Sequence, residues 1–300
     1  MQALFQHPPS PLQRFQHPIL EARNLTCFIK RDDLLQLETQ PGDQAFCGNK
    51  WRKLKYNLAA AREQGFKTLF TFGGAFSNHI AATASAGKLF GFNTIGIIRG
   101  EKVLPLNPTL DFATDCGMEL HFWSREAYRR KDDPQVLAQL QAQFPQAYII
   151  PEGGTNTLAL RGCAELAEEI LAQAEVDYVC LSCGTGGTLA GMIQGLAGRA
   201  FALGFSALKG DFHKAEVQQL LGSNSLDNWA IATEYHFGGY AKTPPELLDF
   251  LVEIKKYDLP LEPIYTGKMM WGVLDRAKQG YFPAGSRICV VHTGGMQGWR

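Results

Sequence analysis

The chain has 300 residues, of which 45% are hydrophobic and 19% charged, and this composition excludes disorder as its main state. Its 29 basic and 29 acidic side chains give a formal net charge of zero, so the basic surplus of a nucleic-acid-binding protein is missing. No apolar run is long enough for a membrane-spanning helix, and the N-terminus shows no secretion signal.

Short apolar runs predict strands that are covered on both faces, because these runs are apolar nearly throughout rather than alternating. In chain order the predicted strands span 27–31, 68–72, 94–99, 119–123, 147–152, 177–183, 229–233 and 287–293. Between them, helical spacing of apolar residues predicts helices over 50–64, 77–88, 158–174, 186–197, 244–256 and 268–279. Residues 36–47 show neither pattern and are predicted to form an exposed loop. The alternation of strands and helices predicts an α/β fold with a mostly parallel sheet.

The clearest candidate for a binding motif is the turn SCGTGGT, residues 182–188, between a predicted strand and a predicted helix. Successive N–H groups, two hydroxyls and a helix N-terminus would face an anion there, from Gly184, Thr185, Gly186, Gly187 and Thr188. A Walker loop would end in Gly-Lys-Ser/Thr, and a dinucleotide fingerprint would have glycine where Leu189 stands. Two interpretations stay open, a site for a single phosphate and a tight turn without a ligand.

Two predicted helices begin with residues that could carry chemistry. Lys50 follows Asn49 at the start of the first strong helix, where a lysine is usually solvated and has no catalytic role. If it were desolvated, its amine would be nucleophilic and could bind a carbonyl compound covalently. Ser77 and Asn78 open the next helix, either as its N-cap or as a site that holds a substrate carboxylate with the free N–H groups of the first turn.

The cysteines indicate neither a metal site nor a disulfide framework. Cys180 and Cys183 have the two-residue spacing of a zinc or redox pair, but no second pair and no nearby histidine accompanies them. We therefore predict no bound metal. The seven cysteines are an odd number without tight spacing, which favours reduced thiols and a location in the cytoplasm.

The motifs of the chain follow one another in a specific order: IKRDD, GNKWRKL, GGAFSNH, PEGG, SCGTGGT, GGYAK, IYTGK and VVHTGG. This series resembles the pyridoxal-phosphate enzymes of the tryptophan synthase β-like fold type II. Within them it is most similar to the D-cysteine desulfhydrase / 1-aminocyclopropane-1-carboxylate deaminase family. The resemblance implies a two-domain α/β fold with flanking helices, in which a small domain, 48–155, is inserted into a large cofactor-binding domain of residues 1–47 and 156–300.

The resemblance also implies the roles of several residues. Lys50 matches the lysine that binds pyridoxal 5'-phosphate covalently, and Asn78 matches the asparagine that hydrogen-bonds the phenolic oxygen of this cofactor. Ser77 matches a residue at the substrate carboxylate. The turn of residues 184–188 matches the segment that binds the cofactor's phosphate.

Three further residues follow from the same resemblance. Tyr240 and Tyr265 match two active-site tyrosines, which would protonate a leaving thiol or assist deprotonation. Thr266 would face the pyridine nitrogen, where the deaminases carry a glutamate. Because a hydroxyl lacks the charge that keeps the ring protonated, Thr266 would give a milder electron sink and favour β-elimination over cyclopropane opening.

The sequence therefore predicts a lyase that converts a small amino acid, such as D-cysteine, to pyruvate, ammonia and sulfide. A 1-aminocyclopropane-1-carboxylate deaminase stays open as an alternative, and so does a non-catalytic protein that holds the cofactor. The joint presence of the matching lysine, serine, asparagine and tyrosines argues against the latter. As partners we expect the amino-acid substrate and a second copy of the chain in a homodimer, but neither nucleic acid nor a membrane.

Overall fold

The computed structural model describes residues 7–35, 45–210, 212–222 and 226–296, so the predicted loop over 36–47 lies largely outside the described residues. The strands in the described part are β1 (Leu12–Phe15), β2 (Thr26–Lys30), β3 (Thr68–Gly74), β4 (Asn93–Arg99), β5 (Met118–Trp123), β6 (Ala147–Ile150), β7 (Tyr178–Cys183), β8 (Phe201–Ser206), β9 (Trp229–Ala232) and β10 (Arg287–Val291). They form two sheets.

Helices separate most of these strands along the chain. They are α1 (Pro18–Ala22), α2 (Gly48–Glu63), α3 (Asn78–Phe90), α4 (Pro108–Asp115), α5 (Arg125–Arg129), α6 (Pro134–Gln143), α7 (Thr157–Gln173), α8 (Gly187–Leu196), α9 (Phe212–Leu221), α10 (Pro245–Ile254) and α11 (Thr266–Lys278). None of the helices that the structure describes is long and apolar enough to cross a membrane.

The larger sheet has the strand order β1-β2-β10-β7-β8-β9. Only β1, at its edge, runs antiparallel to its neighbour. Helices cover both faces, as strand β7 shows: Cys180 packs in a cluster with residues of α10 and α11, and Val179 and Leu181 pack with residues of α7 and α8. This two-sided burial explains why the strands are apolar nearly throughout.

The smaller sheet has the order β5-β4-β3-β6, and all its strands are parallel. Phe70 and Phe72 face a cluster that includes residues of α5 and α6, while Leu69 packs with α2 and α3 on the other face. The strands of this sheet fall within residues 68–150. That range lies inside the stretch 48–155, for which the inserted domain stays a prediction.

Every predicted strand and helix is present, with ends shifted by a few residues, and the predicted α/β fold with mostly parallel sheets is confirmed. The sequence analysis missed strands β1 and β8 and the helices α1, α4, α5, α6 and α9. Two of these helices carried a usable signal, because Asn107 and Asp133 cap α4 and α6 and each is followed by a proline at the first helical position. The others are short or lack a clear apolar period.

Candidate functional site

A cavity of about 360 Å³ lies where the carboxyl ends of parallel strands from both sheets meet. Loops that follow such strands commonly form ligand sites, because side chains from several strands converge at this edge. The loops after β3, β6, β7 and β10 contribute much of its lining, from residues 74–79, 152–153, 182–189 and 293–295. Helix α2 adds two lysines, Lys50 and Lys53.

The structure brings all but one of the predicted site residues to this cavity. Those that line it are Lys50, Ser77, Asn78, Gly184, Thr185, Gly186, Gly187, Thr188, Tyr240 and Tyr265. They come from five separate segments of the chain, and the fold alone places them around one space. A common site for one ligand requires such a convergence.

Thr266 is the exception, and its predicted place beside a ring nitrogen is corrected. It does not line the cavity, its side chain is 0% exposed, and its hydroxyl lies 3.1 Å from a carboxylate oxygen of Glu262. Helix α11 begins at Thr266 with Tyr265 as its N-cap. Because successive residues at a helix start point in different directions, Tyr265 reaches the cavity and Thr266 turns back toward Glu262.

Lys50 supplies the cavity with an amine that is unusually easy to deprotonate. Burial lowers the pKa of Lys50 from 10.5 to about 8, because the charged form loses solvation. Its Nζ atom lies 3.4 Å from Oδ1 of Asn49, which is at the outer limit of a hydrogen bond. A neutral amine with few hydrogen bonds is the form of lysine that attacks a carbonyl carbon.

Lys53 lies one turn further along α2 and connects this helix to two loops of the cavity. Its Nζ donates to the carbonyl of Gly153 at 2.6 Å and to Oγ1 of Thr155 at 2.8 Å, and it lies 3.4 Å from Oγ1 of Thr185. Burial, assisted by the positive charge of Lys50, lowers the pKa of Lys53 to about 7. An anion bound at this point would restore the charge of Lys53.

The glycine turn begins helix α8 and lines the cavity. Gly186 is the N-cap and has φ +74°, a conformation that favours glycine. A Cβ atom on Gly187 would lie 2.8 Å from the side chain of Thr155 and 3.1 Å from Cε of Lys53. The turn therefore packs closely against the lysine, and together they form a concave site for an anion.

Helix α3 begins at the same cavity. Oγ of Ser77 accepts hydrogen bonds from the N–H groups of His79 and Ile80, which confirms its predicted capping role. The hydroxyl of Thr71 donates to the carbonyl of Ile150 at 2.9 Å, so its oxygen must accept from Nε2 of His79, 2.8 Å away. Burial, with the nearby lysine charges, lowers the pKa of His79 well below its usual value and keeps the ring neutral.

Two tyrosines meet on the remaining side of the lining. The ring centroids of Tyr240 and Tyr265 are 6.0 Å apart in an edge-to-face arrangement. Burial, followed by the neighbouring Tyr240 and Glu262, raises the pKa of Tyr265 well above 10. The hydroxyl of Tyr265 therefore keeps its proton and can donate a hydrogen bond into the cavity.

The lining also includes residues that the sequence analysis did not predict, among them Lys53, Arg99, Glu152 and Thr293. Lys53 and Thr293 belong to motifs that the sequence analysis did quote, GNKWRKL and VVHTGG, so proximity to those motifs was the available signal. Arg99 and Glu152 end or follow strands of the smaller sheet. Their strands, β4 and β6, pair with β3 from opposite sides, and only this arrangement shows that the two side chains reach the same cavity.

Comparison with known proteins gives a consistent result. Residues 10–294 match the family described as pyridoxal-phosphate dependent enzyme. A bifunctional D-cysteine desulfhydrase/1-aminocyclopropane-1-carboxylate deaminase of Arabidopsis thaliana is 32% identical over 97% of this chain and 77% of its own. A D-cysteine desulfhydrase of Klebsiella pneumoniae is 31% identical over 89% and 86% of the two chains. The crystal structure of an ACC deaminase homologue superposes with a TM-score of 0.80 at 28% identity, covering 98% of this chain and 91% of the other.

Proposed function

Since this chain belongs to the family of pyridoxal-phosphate dependent enzymes, we propose that it is a lyase that eliminates the β-substituent of a small D-amino acid. One observation carries the proposal: the amine of Lys50, with its pKa lowered to about 8, lines the same cavity as the glycine turn before α8. The first group suits a carbonyl carbon, and the second suits a phosphate. Pyridoxal phosphate presents both on one molecule.

The residues present fit this cofactor. The N–H groups at the start of α8, the Nζ atom of Lys53 and the hydroxyl of Thr185 form a donor set for the phosphate. The close approach of Gly187 to Lys53 leaves no room for a side chain at position 187. Lys50 would bind the aldehyde carbon, and the side-chain amide of Asn78 would hydrogen-bond the phenolic oxygen. The cavity volume falls within the range of small-molecule sites, about 300–1,000 Å³.

Protein groups bind the substrate and move its protons. When bound, the cofactor supplies an electron sink that makes the Cα–H bond of an amino acid acidic. The hydroxyl of Ser77 holds the substrate carboxylate by donating its proton, since its oxygen already accepts from the N–H groups of His79 and Ile80. The amine of Lys50, which lines the cavity, would serve as the base that takes the proton from Cα. Because its pKa is raised, Tyr265 is protonated before the reaction, and it donates this proton to the sulfur that leaves Cβ.

The overall reaction on D-cysteine is the consumption of one water and the release of pyruvate, ammonia and hydrogen sulfide. The Cα–H and Cβ–S bonds break, and hydrolysis of the C–N bond frees ammonia. No net oxidation occurs, so the reaction requires no redox partner. The names of two relatives, each a D-cysteine desulfhydrase in whole or in part, support this substrate.

The choice between elimination and cyclopropane opening no longer rests on Thr266. Among the described lining residues the one carboxylate is Glu152, and it is held by the hydroxyl of Tyr128 at 2.8 Å and by Nζ of Lys131 at 3.3 Å. At the end of β10 the lining side chain is the hydroxyl of Thr293. The described part of the lining thus offers no unpaired carboxylate to stabilise a protonated ring, which favours the milder electron sink and elimination. The names of relatives keep 1-aminocyclopropane-1-carboxylate deamination as the second candidate.

A substrate panel tests the proposal. Purified enzyme loaded with pyridoxal phosphate is assayed for keto-acid release from D-cysteine, L-cysteine, D-serine and 1-aminocyclopropane-1-carboxylate. We expect the fastest release from D-cysteine, together with sulfide. Efficient release of 2-oxobutanoate from the cyclopropane, with D-cysteine untouched, would establish the second candidate. Inactivity toward all four would refute both.

A homodimer and a cytoplasmic location also belong to this proposal. All seven cysteines are free thiols, and all except Cys116 are buried, as expected for a protein that folds in a reducing compartment. Closed symmetric dimers are the commonest assemblies of soluble enzymes. Sedimentation equilibrium measures the assembly, and a monomer at micromolar concentration would contradict the dimer.

A further inference from the structure

The loop that carries Tyr240 has a strained backbone. Phe237, Gly238, Gly239 and Ala241 have φ values of +53°, +90°, +125° and +57°, so the tyrosine is flanked on both sides by left-handed residues. For a residue with a side chain, such as Phe237 or Ala241, this conformation is unfavourable. A loop of this kind keeps one conformation only where its surroundings hold it.

Lys268 provides such a hold. It lies in the first turn of α11, is 1% exposed, and donates from Nζ to the carbonyl oxygens of His236 at 3.0 Å and Gly239 at 2.9 Å. These two carbonyls also accept the internal N–H bonds of the loop, from Gly239 and Lys242. One buried ammonium group therefore joins two carbonyls of the loop, and the second of them belongs to the residue immediately before Tyr240.

The same end of α11 fixes the second tyrosine. The carboxylate of Glu262 accepts backbone N–H bonds from Ile264, Tyr265 and Thr266 at 2.7, 2.8 and 2.6 Å. This cap sets the position from which the Tyr265 side chain enters the cavity. Both tyrosines are thus held by buried ionisable side chains, Glu262 just before α11 and Lys268 in its first turn, although the tyrosines belong to different loops.

The position of Lys268 is costly for a residue that only fills space. A cation in the first turn of a helix opposes the helix dipole, and burial lowers the pKa of Lys268 to about 8 despite the opposing influence of Glu262. A leucine or methionine would fill the same volume without this cost. Compared with such an apolar side chain, the ammonium adds the two hydrogen bonds to the loop.

We propose that Lys268 is a positioning residue that holds the 236–241 loop so that Tyr240 meets Tyr265 edge to face. It acts through Tyr240 and does not itself line the cavity. The inference rests on the proposed function, because it assigns a role in catalysis to Tyr240. Its first test, however, measures the loop and not the reaction.

Hydrogen–deuterium exchange of the holoenzyme provides that first test. Lys268→Met keeps the apolar stem and removes the donors, so amides of residues 236–241 should exchange at least about tenfold faster, as expected for a locally opened segment. Lys278→Met, at the exposed end of the same helix, is the matched control and should leave exchange unchanged. Lys268→Gln, a milder variant with a neutral donor, should give an intermediate rate. Unchanged exchange in both Lys268 variants would overturn the proposal.

A double-mutant cycle then tests the route through Tyr240. In the wild-type background we expect Lys268→Met to lower kcat about 10- to 100-fold with little change in KM, because a misplaced group affects the chemical step. In a Tyr240→Phe background the same change should cost less than about twofold, since the tyrosine hydroxyl is already absent. Equal losses in both backgrounds would show that Lys268 does not act through Tyr240. Absence of any elimination activity would refute the proposed function, while the exchange result would still decide whether Lys268 holds the loop.

Discussion

Lys53 donates a hydrogen bond of 2.6 Å from helix α2 to the carbonyl oxygen of Gly153, in the loop after strand β6. The bond joins two segments that are far apart in the chain and places the ammonium beside the glycine turn of α8. Because burial and Lys50 lower the pKa of Lys53 to about 7, its charge depends on what the cavity holds. This relationship makes anion binding sensitive to pH.

We therefore predict that the cofactor-free protein binds sulfate less tightly as pH rises through about 7. The sign follows from the lowered pKa of Lys53: below it the ammonium is present to attract the anion, and above it the amine is neutral. Sulfate keeps a constant charge over this range, so the change reports the protein. Calorimetric titration from pH 6 to 9 measures it. In Lys53→Met the step near 7 should vanish, and an unaltered step would assign it to another group.

A second prediction concerns covalent attachment of the cofactor. Borohydride reduction of the loaded enzyme should fix pyridoxal phosphate on Lys50, and peptide mapping should find the label there. Lys50→Ala should lose the label, whereas Lys53→Met should retain it at lower occupancy, because Lys53 contributes to phosphate binding. A label that maps to Lys53 in the wild type would show that the roles of the two lysines are reversed.

The glycine turn gives a third prediction with a matched control. Gly186→Val should weaken cofactor retention, since the side chain would meet Val217 at 2.9 Å and displace the turn. Gly198→Val also carries a side chain in a left-handed conformation, with φ +83° against +74°, but has open space around it. Cofactor dissociation followed by fluorescence distinguishes the two variants. Equal retention in both would mean that the turn does not bind the phosphate.

Tyr265 supports a prediction about the pH profile. Since burial raises the pKa of Tyr265 well above 10, the tyrosine keeps its proton throughout the working range. Tyr265→Phe should lower kcat about 10²–10⁴-fold, the usual contribution of a general acid. The wild-type kcat should show no loss from tyrosine ionisation below pH 10. Retention of full activity by the phenylalanine variant would transfer the proton-donor role to Tyr240 or to water.

A buried ion network predicts a large stability change. Arg52 and Asp32 are both 0% exposed and form hydrogen bonds of 2.8 and 2.7 Å, and Arg52 also pairs with Glu169. Arg52→Met should lower the free energy of unfolding by about 3–5 kcal/mol, because Asp32 would remain buried without its partner. Chemical denaturation measures this change. Arg199→Met, which removes an exposed pair with Glu168, should cost about 0–1 kcal/mol.

Sequence reasoning, together with the family resemblance, predicted the α/β fold, the mostly parallel sheets and ten of the residues that line the cavity. It could do so because two-sided burial leaves continuous apolar strands, and because glycine turns and helix caps are local features. The order of the motifs along the chain carried the family resemblance, and the resemblance assigned roles to residues that no single local pattern identifies. The cap-and-proline starts of α4 and α6 were overlooked, whereas α5, with five residues, is too short to give a periodic signal.

Tertiary structure alone decided which side chains share the cavity and which do not. Thr266 and Tyr265 are adjacent in sequence, yet the start of α11 turns one to the cavity and the other to Glu262. The pKa of Lys53 is lowered by its burial and by the charge of Lys50. The position of Lys53 in a basic run of the sequence does not indicate this burial. Lys268 reaches two carbonyls of a loop about thirty residues away only because the fold brings them together. Direction, burial and long-range hydrogen bonds depend on packing, and packing is a property of the whole chain.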